Sequence, residues 1–162
     1  MRRITDFLED FSKIMDELNT TSRFPETKNY IQHGNVTVYQ HCVFVAYTSC
    51  KIANKFNLNV DKSSLIRGAL LHDYFLYDWH DKNKPVKFHG FKHPRIALQN
   101  ATEDFTLTKK EEDIILHHMF PLNLTPPASK EAWIICLADK ICATAETLRL
   151  QTEDKLDSIY SF

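Results

Sequence analysis

Apolar residues recur every three or four positions along most of this chain, the spacing that places them on one face of an α-helix. The first such stretch covers residues 3–19, and a second helix is predicted over about residues 38–56. Between them, residues 20–36 contain Pro25 and Gly34 and are predicted to form a connection. No segment alternates between apolar and polar residues as a half-buried strand would, so the pattern predicts an all-α fold of about six helices.

Residues that favour helix starts mark where the later helices begin. Asp, Ser and Thr side chains accept hydrogen bonds from the free N–H groups of a helix start, and proline favours the first helical turn. Gly68 lies inside the third helix and indicates that another helix approaches it closely. The predicted starts are Asp61 for the third helix, Pro94 for the fourth, Thr108 with Glu111 for the fifth, and Ser129 for the sixth.

Three further expectations concern the surface of the bundle. Residues 78–92 are polar and are predicted to form a loop. Glu146 and Arg149, about one turn apart near the end of the sixth helix, are predicted to form a surface ion pair. The buried side of that helix is predicted to consist of Trp133, Ile134, Leu137, Ile141 and Cys142.

Composition and charge narrow the class of protein. A chain of 162 residues with 43% hydrophobic and 25% charged residues is typical of one soluble globular domain, here residues 1–162. The net charge of −1 disfavours a nucleic-acid partner, because such proteins usually carry a basic excess. The longest uncharged apolar run, residues 132–138, is far shorter than the roughly 20 residues of a membrane span.

The cysteines and the N-terminal residues indicate the compartment. Asp6, Glu9 and Asp10 stand where a signal peptide needs an unbroken apolar stretch. The cysteines form no CxxC pair and are expected to be reduced thiols at positions 42, 50, 136 and 142. We therefore expect a cytoplasmic protein.

Histidines and aspartates lie at the margins of several apolar helices. His72 and Asp73 follow the apolar stretch of the third helix, and Asp139 lies inside the sixth. A buried carboxylate without a partner costs several kcal/mol, and a metal ion is one partner that also accepts the imidazole lone pair. His117 and His118 end the fifth helix. Such residues on separate helices are what a metal site inside a bundle requires.

Each of these residues also has a simpler interpretation. A histidine at a helix margin is usually solvated or hydrogen-bonded. Asp139 beside Lys140 is compatible with a buried salt bridge, and His117 with His118 is compatible with the helix dipole favouring positive charge at a C-terminus. Taken together, the residues favour the metal site over these separate interpretations.

The order His41, His72–Asp73, Asp139 resembles the HD-domain superfamily of metal-dependent phosphohydrolases. The segments YQHCVFVAYTSCKIA, ALLHDYF and CLADKICA carry the resemblance, which covers about residues 30–148 and leaves the first helix outside. It implies an all-α helical domain with a central metal site. By this resemblance the ligands of one ion are His41, His72, Asp73 and Asp139.

The intervening histidines resemble the extra ligands of the two-metal branch, which includes diadenosine tetraphosphate hydrolases and the cyclic-di-GMP phosphodiesterases with a Gly-Tyr-Pro signature. They are His93 in HGFKHP and the pair in ILHHMF. The resemblance implies that Asp73 bridges to a second ion held by His93 and His117, with His118 a further candidate. The Gly-Tyr-Pro signature is absent, which argues against a cyclic-di-GMP substrate.

Two divalent ions bridged by a carboxylate bind a shared water and lower its pKa. Asp73 is therefore a catalytic candidate, and Lys140 is expected to orient Asp139 or to contact phosphate. Arg95 belongs to a basic segment that is either a phosphate-receiving lip or a solvated loop, because Asp78 and Asp81 offset part of its charge. The other members of this basic lip are His80, Lys82, Lys84, Lys87, His89 and Lys92.

The leading hypothesis is a phosphohydrolase that cleaves a phosphate ester or anhydride, expected to be that of a nucleotide, with a metal-activated water. One alternative is a di-iron oxygenase of the same fold, whose ligand set is of the same type. Another is a metal-stabilised sensing module without catalysis. The ligands do not distinguish Fe, Mn, Co, Ni, Zn and Mg. The expected partner is a small phosphorylated substrate, without nucleic acid or membrane, and the first helix either covers the core or forms a homodimer contact.

Overall fold

A computed structural model of the chain describes residues 4–83 and 87–148. Within these ranges the chain forms a helical bundle, which confirms the predicted all-α class. A 3-10 helix, Phe24–Asn29, and a two-stranded antiparallel hairpin, β1 (Ile31–His33) and β2 (Val36–Thr37), follow the first helix. The α-helices are α1 (Ile4–Thr21), α2 (Val38–Lys55), α3 (Lys62–Leu71), α4 (His89–Asp104), α5 (Lys109–His117) and α6 (Lys130–Thr147).

Side-chain caps start the helices as the sequence predicts. The carboxylate of Asp61 accepts a hydrogen bond from the Ser64 N–H at 3.1 Å at the start of α3. Thr108 and Glu111 form the predicted capping box of α5, in which each side chain accepts from the other's backbone N–H. Ser129 accepts from the N–H of Ala132 at the start of α6. Polar residues that satisfy free backbone donors therefore set these three boundaries.

Residues 20–36 do connect the first two helices as predicted, but the expectation that no segment forms a strand was wrong. The region between these helices contains the 3-10 helix and the β1–β2 hairpin, whose strands are too short to show an alternating pattern. The start of α4 also differs, because the helix begins at His89 and contains Pro94 in its interior. His89 and His93 consequently lie one turn apart on the same helix.

Close packing between α3 and α5 brings their C-terminal ends together. A Cβ atom at Gly68 would lie only 2.5 Å from Cδ1 of Ile114, which confirms the close helix approach predicted there. His72 and Asp73 directly follow α3, and His118 directly follows α5. The contact at Gly68 therefore helps to place these three residues near one another.

The sixth helix buries a different face from the predicted one. Ile134 and Cys142 are buried as expected, but Trp133, Leu137 and Ile141 are 47%, 53% and 48% exposed. Apolar residues occur on most sides of α6, so periodicity alone does not identify the face that packs against α2 and α5. None of the helices in the described ranges has the length and apolar character needed to cross a membrane.

Candidate metal centre

Four imidazoles and two carboxylates meet where α2, α4 and α6 approach the ends of α3 and α5. Each of these residues is at most 8% exposed, although all six carry polar or charged side chains. Groups of this kind are buried at a large cost unless they find partners. The members of this central cluster are His41 on α2, His72 and Asp73 after α3, His93 on α4, His118 after α5, and Asp139 on α6.

Every imidazole of the central cluster is oriented by a partner outside it. Nδ1 of His72 lies 2.6 Å from a backbone carbonyl, and the Nδ1 atoms of His93 and His118 lie 3.0 and 2.8 Å from others. Nδ1 of His41 lies 2.9 Å from a carboxylate oxygen of Glu146. Carbonyl and carboxylate oxygens accept hydrogen bonds, so Nδ1 carries the proton in each ring. Whenever such a ring is neutral, its Nε2 lone pair faces the cluster.

With neutral rings, hydrogen-bond acceptors face one another inside the cluster. The Nε2 atoms of His93 and His118 lie 2.9 Å apart, and both lie near Oδ1 of Asp73, at 3.1 and 3.3 Å. Nε2 of His41 lies 3.1 Å from Oδ1 of Asp139. Lone pairs at such distances repel unless protons or cations lie between them.

Two buried atoms of the cluster have no hydrogen-bond partner among the described residues, namely Nε2 of His72 and Oδ1 of Asp73. An unsatisfied buried polar atom costs about 1–3 kcal/mol. Donor atoms bound to one ion at about 2.1 Å lie roughly 3 Å apart, close to the separations seen here. Imidazole nitrogen and carboxylate oxygen are ligands for Fe, Mn, Co, Ni and Zn, so the central cluster fits divalent cations by donor type and spacing.

The cluster favours opposite charges on neighbouring carboxylates and imidazoles. Burial opposes ionisation of Asp73, but the neighbouring His72 and His93 outweigh it and hold the pKa of this carboxyl well below its usual range. Burial likewise opposes charge on His41, yet the hydrogen bonds to Asp139 and Glu146 raise the pKa of its imidazole well above the ordinary value. The site thus favours ionised carboxylates and positive charge beside them, which a bound cation supplies.

Two residues near the cluster were not recognised as functional in the sequence. Glu146 was predicted to form a surface ion pair with Arg149, but its side chain is buried and contacts His41, so this prediction was wrong for Glu146. Arg149 lies outside the described residues. Glu146 is seven positions after Asp139, two helical turns on the same face, and this spacing was the available signal.

Gln32 is the second of these residues. It lies on β1, is 6% exposed, and donates from Nε2 to Oδ2 of Asp73. Its role depends on the β1–β2 hairpin, which brings this strand beside the end of α3. No sequence signal points to a contact between residues 41 positions apart.

The structure does not bring His117 to the central cluster. Its Nδ1 lies 2.7 Å from Oδ1 of Asp113, whereas the ring of the next residue, His118, points at Asp73. Consecutive residues of a helix point about 100° apart, so only one of the pair faces the cluster. His118 therefore takes the place that the resemblance assigned first to His117.

Arg95 and most of the predicted basic lip lie away from the cluster. Arg95 is exposed and lines an outer groove together with Lys92, His117 and Leu124. Lys82 and Lys87 line neither this groove nor the cavity beside the cluster, and Lys84 lies outside the described residues. A catalytic role for Arg95, as expected from the sequence, requires this residue to lie at the central cluster. The structure places it elsewhere.

A cavity of about 700 Å³ opens beside the cluster. Asp73, His93, His118 and Asp139 line its polar end, and Lys140 lies next to them with Nζ 3.1 Å from the carbonyl oxygen of His118. His89 is the one member of the basic lip that lines the cavity in the described part of the chain. The apolar side chains on the remaining walls are Trp79, Met119, Pro121, Leu122 and Ala143.

Comparison with known protein families supports this arrangement of buried His and Asp residues within a helical bundle. The family model of the HD domain matches residues 38–144, about two thirds of the chain. Searches of curated proteins and of solved structures each gave no significant match. All six members of the central cluster fall inside the matched range, in the order that the sequence resemblance required. The helical bundle, the buried His and Asp residues at its centre and the family match together show that this chain belongs to the HD-domain family.

Proposed function

We propose that the chain is a metal-dependent phosphohydrolase that cleaves a phosphate ester or anhydride, with a nucleotide as the expected substrate. The observation that carries the proposal is the position of Asp73 between two groups of histidines. Its Oδ2 lies 3.6 and 3.5 Å from Nε2 of His41 and His72, while its Oδ1 lies 3.1 and 3.3 Å from Nε2 of His93 and His118. One carboxylate with two such sets of neighbours is suited to bridge two ions.

The residues would divide between the two ions accordingly. His41, His72, Asp73 and Asp139 would hold the first, and Asp73, His93 and His118 would hold the second. When bound, two divalent ions lower the pKa of a shared water and neutralise charge on phosphoryl oxygens.

The chain's own groups supply orientation and charge around this site. Backbone carbonyls and Glu146 keep the Nδ1 protons in place, so each ring turns its lone pair inward. The amide of Gln32 holds Oδ2 of Asp73. Lys140 lines the cavity beside Asp139 and would attract the anionic part of the substrate.

The test is phosphate release by purified protein loaded with Mn²⁺, Fe²⁺, Co²⁺ or Ni²⁺ in separate samples. p-Nitrophenyl phosphate serves as a general probe and nucleoside mono- and triphosphates as candidate substrates. We expect metal-dependent phosphate release that EDTA abolishes and metal restores. Metal-loaded protein that releases no phosphate from any of these compounds would contradict the proposal. Dioxygen consumption by the di-iron form would then favour the oxygenase alternative.

A further inference from the structure

The described residues on the walls of the cavity beside the central cluster carry very few positive charges. Among the described residues that line it, Lys140 is the one cation carried by a lysine or arginine. Its Nζ contacts the carbonyl oxygens of His118 and Cys136, at 3.1 and 3.3 Å, and Sγ of Cys136 at 3.2 Å. These groups are uncharged, and no carboxylate of the described residues forms an ion pair with Lys140. These contacts do not neutralise its charge, which would favour one anionic group in the cavity.

Apart from Gln32 and His33, the lining residues outside the cluster and Lys140 are mainly aromatic or aliphatic. The indole of Trp79 stacks on the ring of His89, with planes 6° apart and centroids 4.7 Å apart. His80 covers Trp79 at a centroid distance of 3.7 Å, and the Tyr77 hydroxyl lies 2.9 Å from Nδ1 of His89. These contacts hold the aromatic wall in one orientation.

The residues after α5 form the facing part of the cavity. Met119, Pro121 and Leu122 line it and carry no charge. Leu122 is 45% exposed and lies next to Gly90 at the start of α4, where an added Cβ would come within 3.2 Å of the leucine side chain. A ligand that enters past these residues loses water from its surface without meeting charged partners.

From this distribution of charge we infer that the substrate is a phosphomonoester with one phosphoryl group and an apolar or aromatic alcohol part. The inference rests on the proposed phosphohydrolase function and makes it more specific. A polyphosphate chain carries several negative charges beyond the phosphoryl group at the metals, and each loses its hydration on entering the cavity. Lys140 together with the metal centre matches one phosphoryl group, and the remaining walls match an uncharged organic group.

The reaction is a simple hydrolysis. The oxygen of water forms a new bond to phosphorus, and the bond between phosphorus and the alcohol oxygen breaks with its electron pair remaining on that oxygen. The leaving oxygen takes up a proton that the water has lost. The products are the free alcohol and inorganic phosphate, so no oxidant or further reactant is needed.

Two matched pairs of compounds test the inference on the metal-loaded full chain. Benzyl phosphate and glycerol 1-phosphate are both monoesters of primary alcohols, but only the first has an aromatic part. Adenosine 5′-monophosphate and ATP share the nucleoside and differ in the number of phosphates. We expect kcat/KM to be at least about 10-fold higher for the first member of each pair, roughly the effect of one good apolar contact or one unpaired charge. A ratio of about three or less in either pair overturns the inference.

A charge introduced at the apolar wall gives an independent test. Leu122→Arg should raise kcat/KM for ATP relative to adenosine 5′-monophosphate by about 5-fold or more, since the new guanidinium faces the added phosphates. Leu124→Arg is the matched control, because Leu124 is 87% exposed and lines the outer groove instead of the cavity. An equal change in both variants, or no change in Leu122→Arg, counts against the inference.

The phosphohydrolase proposal and this inference fail in different ways. If metal-loaded protein cleaves p-nitrophenyl phosphate but lacks either of the two substrate preferences, the function stands and the inference falls. If no phosphate compound is cleaved although metal analysis shows bound ions, the function itself is wrong.

Discussion

His117 and His118 are neighbours in the sequence, yet their rings enter two different environments. The His117 ring meets Asp113, whose carboxylate also accepts from the backbone N–H groups of Ala128 and Ser129 and from the Ser129 hydroxyl. Every contact there joins a donor to an acceptor. The environment of His117 is therefore satisfied by the protein alone.

The ring of His118 lies in the opposite situation. Its Nδ1 donates to the carbonyl oxygen of Ile115, and its Nε2 faces Nε2 of His93 and a carboxylate oxygen of Asp73. Here one hydrogen-bond acceptor faces another. Burial lowers the pKa of the His118 imidazole, so protonation of this ring is disfavoured as a way to relieve the repulsion. Both environments contain a histidine and an aspartate, so residue type alone does not identify a metal site. The metal site is identified by whether each hydrogen-bond acceptor has a donor as its partner.

The largest effect is expected from Asp73→Ala, because Asp73 is the one described residue that belongs to both proposed ion-binding groups. The wild type should hold about two ions per chain, and the variant should hold almost none and lose at least about a thousandfold in activity. Mass-spectrometric metal analysis of the purified proteins and phosphate release measure the two outcomes. A variant that retains both ions would show that Asp73 does not bridge them.

Replacing each of the neighbouring histidines separates the two environments directly. His118→Ala should remove the second ion, leaving about one per chain, and abolish turnover, because the shared water needs both ions. His117→Ala is the matched control and should keep both ions, with activity within a few-fold of wild type. Metal content and kcat/KM are measured for both variants. Loss of an ion in His117→Ala but not in His118→Ala would show that His117 is the ligand and that the two environments were assigned wrongly.

Glu146 is expected to have an intermediate effect, because it contacts His41 and would act on the metal only through that ring. Glu146→Ala should weaken binding of the first ion by about 10- to 100-fold, the usual cost of losing a partner that orients a ligating histidine. Glu146→Gln retains an acceptor oxygen and should recover part of the affinity. Competition with a chelator of known affinity measures the change, and Glu112→Gln, on the surface of α5, is the control. Equal metal affinities in all variants would show that Glu146 contributes to packing alone and does not orient His41.

The smallest effect on the metal is expected at the satisfied environment. Asp113→Ala should leave both ions bound but destabilise the fold by about 1 kcal/mol, because several partly buried or exposed donors lose their acceptor. Urea unfolding at neutral pH, with metal analysis, measures both quantities. Loss of metal at full stability would contradict the assignment of Asp113 to the structure alone.

The pH dependence of this loss has a defined sign. Burial opposes charge on Asp113, but hydrogen bonds from Ser129 and His117 outweigh it and hold the pKa of the carboxyl below its ordinary value. A depressed pKa contributes stability that is complete above the pKa of the unfolded chain, about 3.9, and is lost as the pH falls through the lower folded-state value. The difference between wild type and Asp113→Ala should therefore shrink below about pH 4. A difference that grows on acidification would contradict this account.

Much of the fold is predictable because it depends on interactions between near neighbours in the chain. Caps at Asp61, Thr108 and Ser129 bind N–H groups three residues away, and apolar periodicity repeats within each helix. Gly68 predicted a close helix contact because a glycine inside a helix costs stability, and tight packing against a neighbour offsets that cost. The β1–β2 hairpin escaped prediction because its strands have only three and two residues.

The sequence by itself determined the all-α class, the main helices, and the ordered His and Asp residues that place the chain in its family. Only the tertiary structure decided which residues of close pairs and similar types reach the centre. His118 instead of His117, Glu146 on the same face as Asp139, and Gln32 on a hairpin strand all depend on how one element is rotated or docked against another. Such rotations follow from packing between distant segments, and local spacing carries little information about them. The charge of the cavity beside the cluster was likewise decided in three dimensions, because Lys92 and Arg95 lie on the part of α4 that lines the outer groove instead.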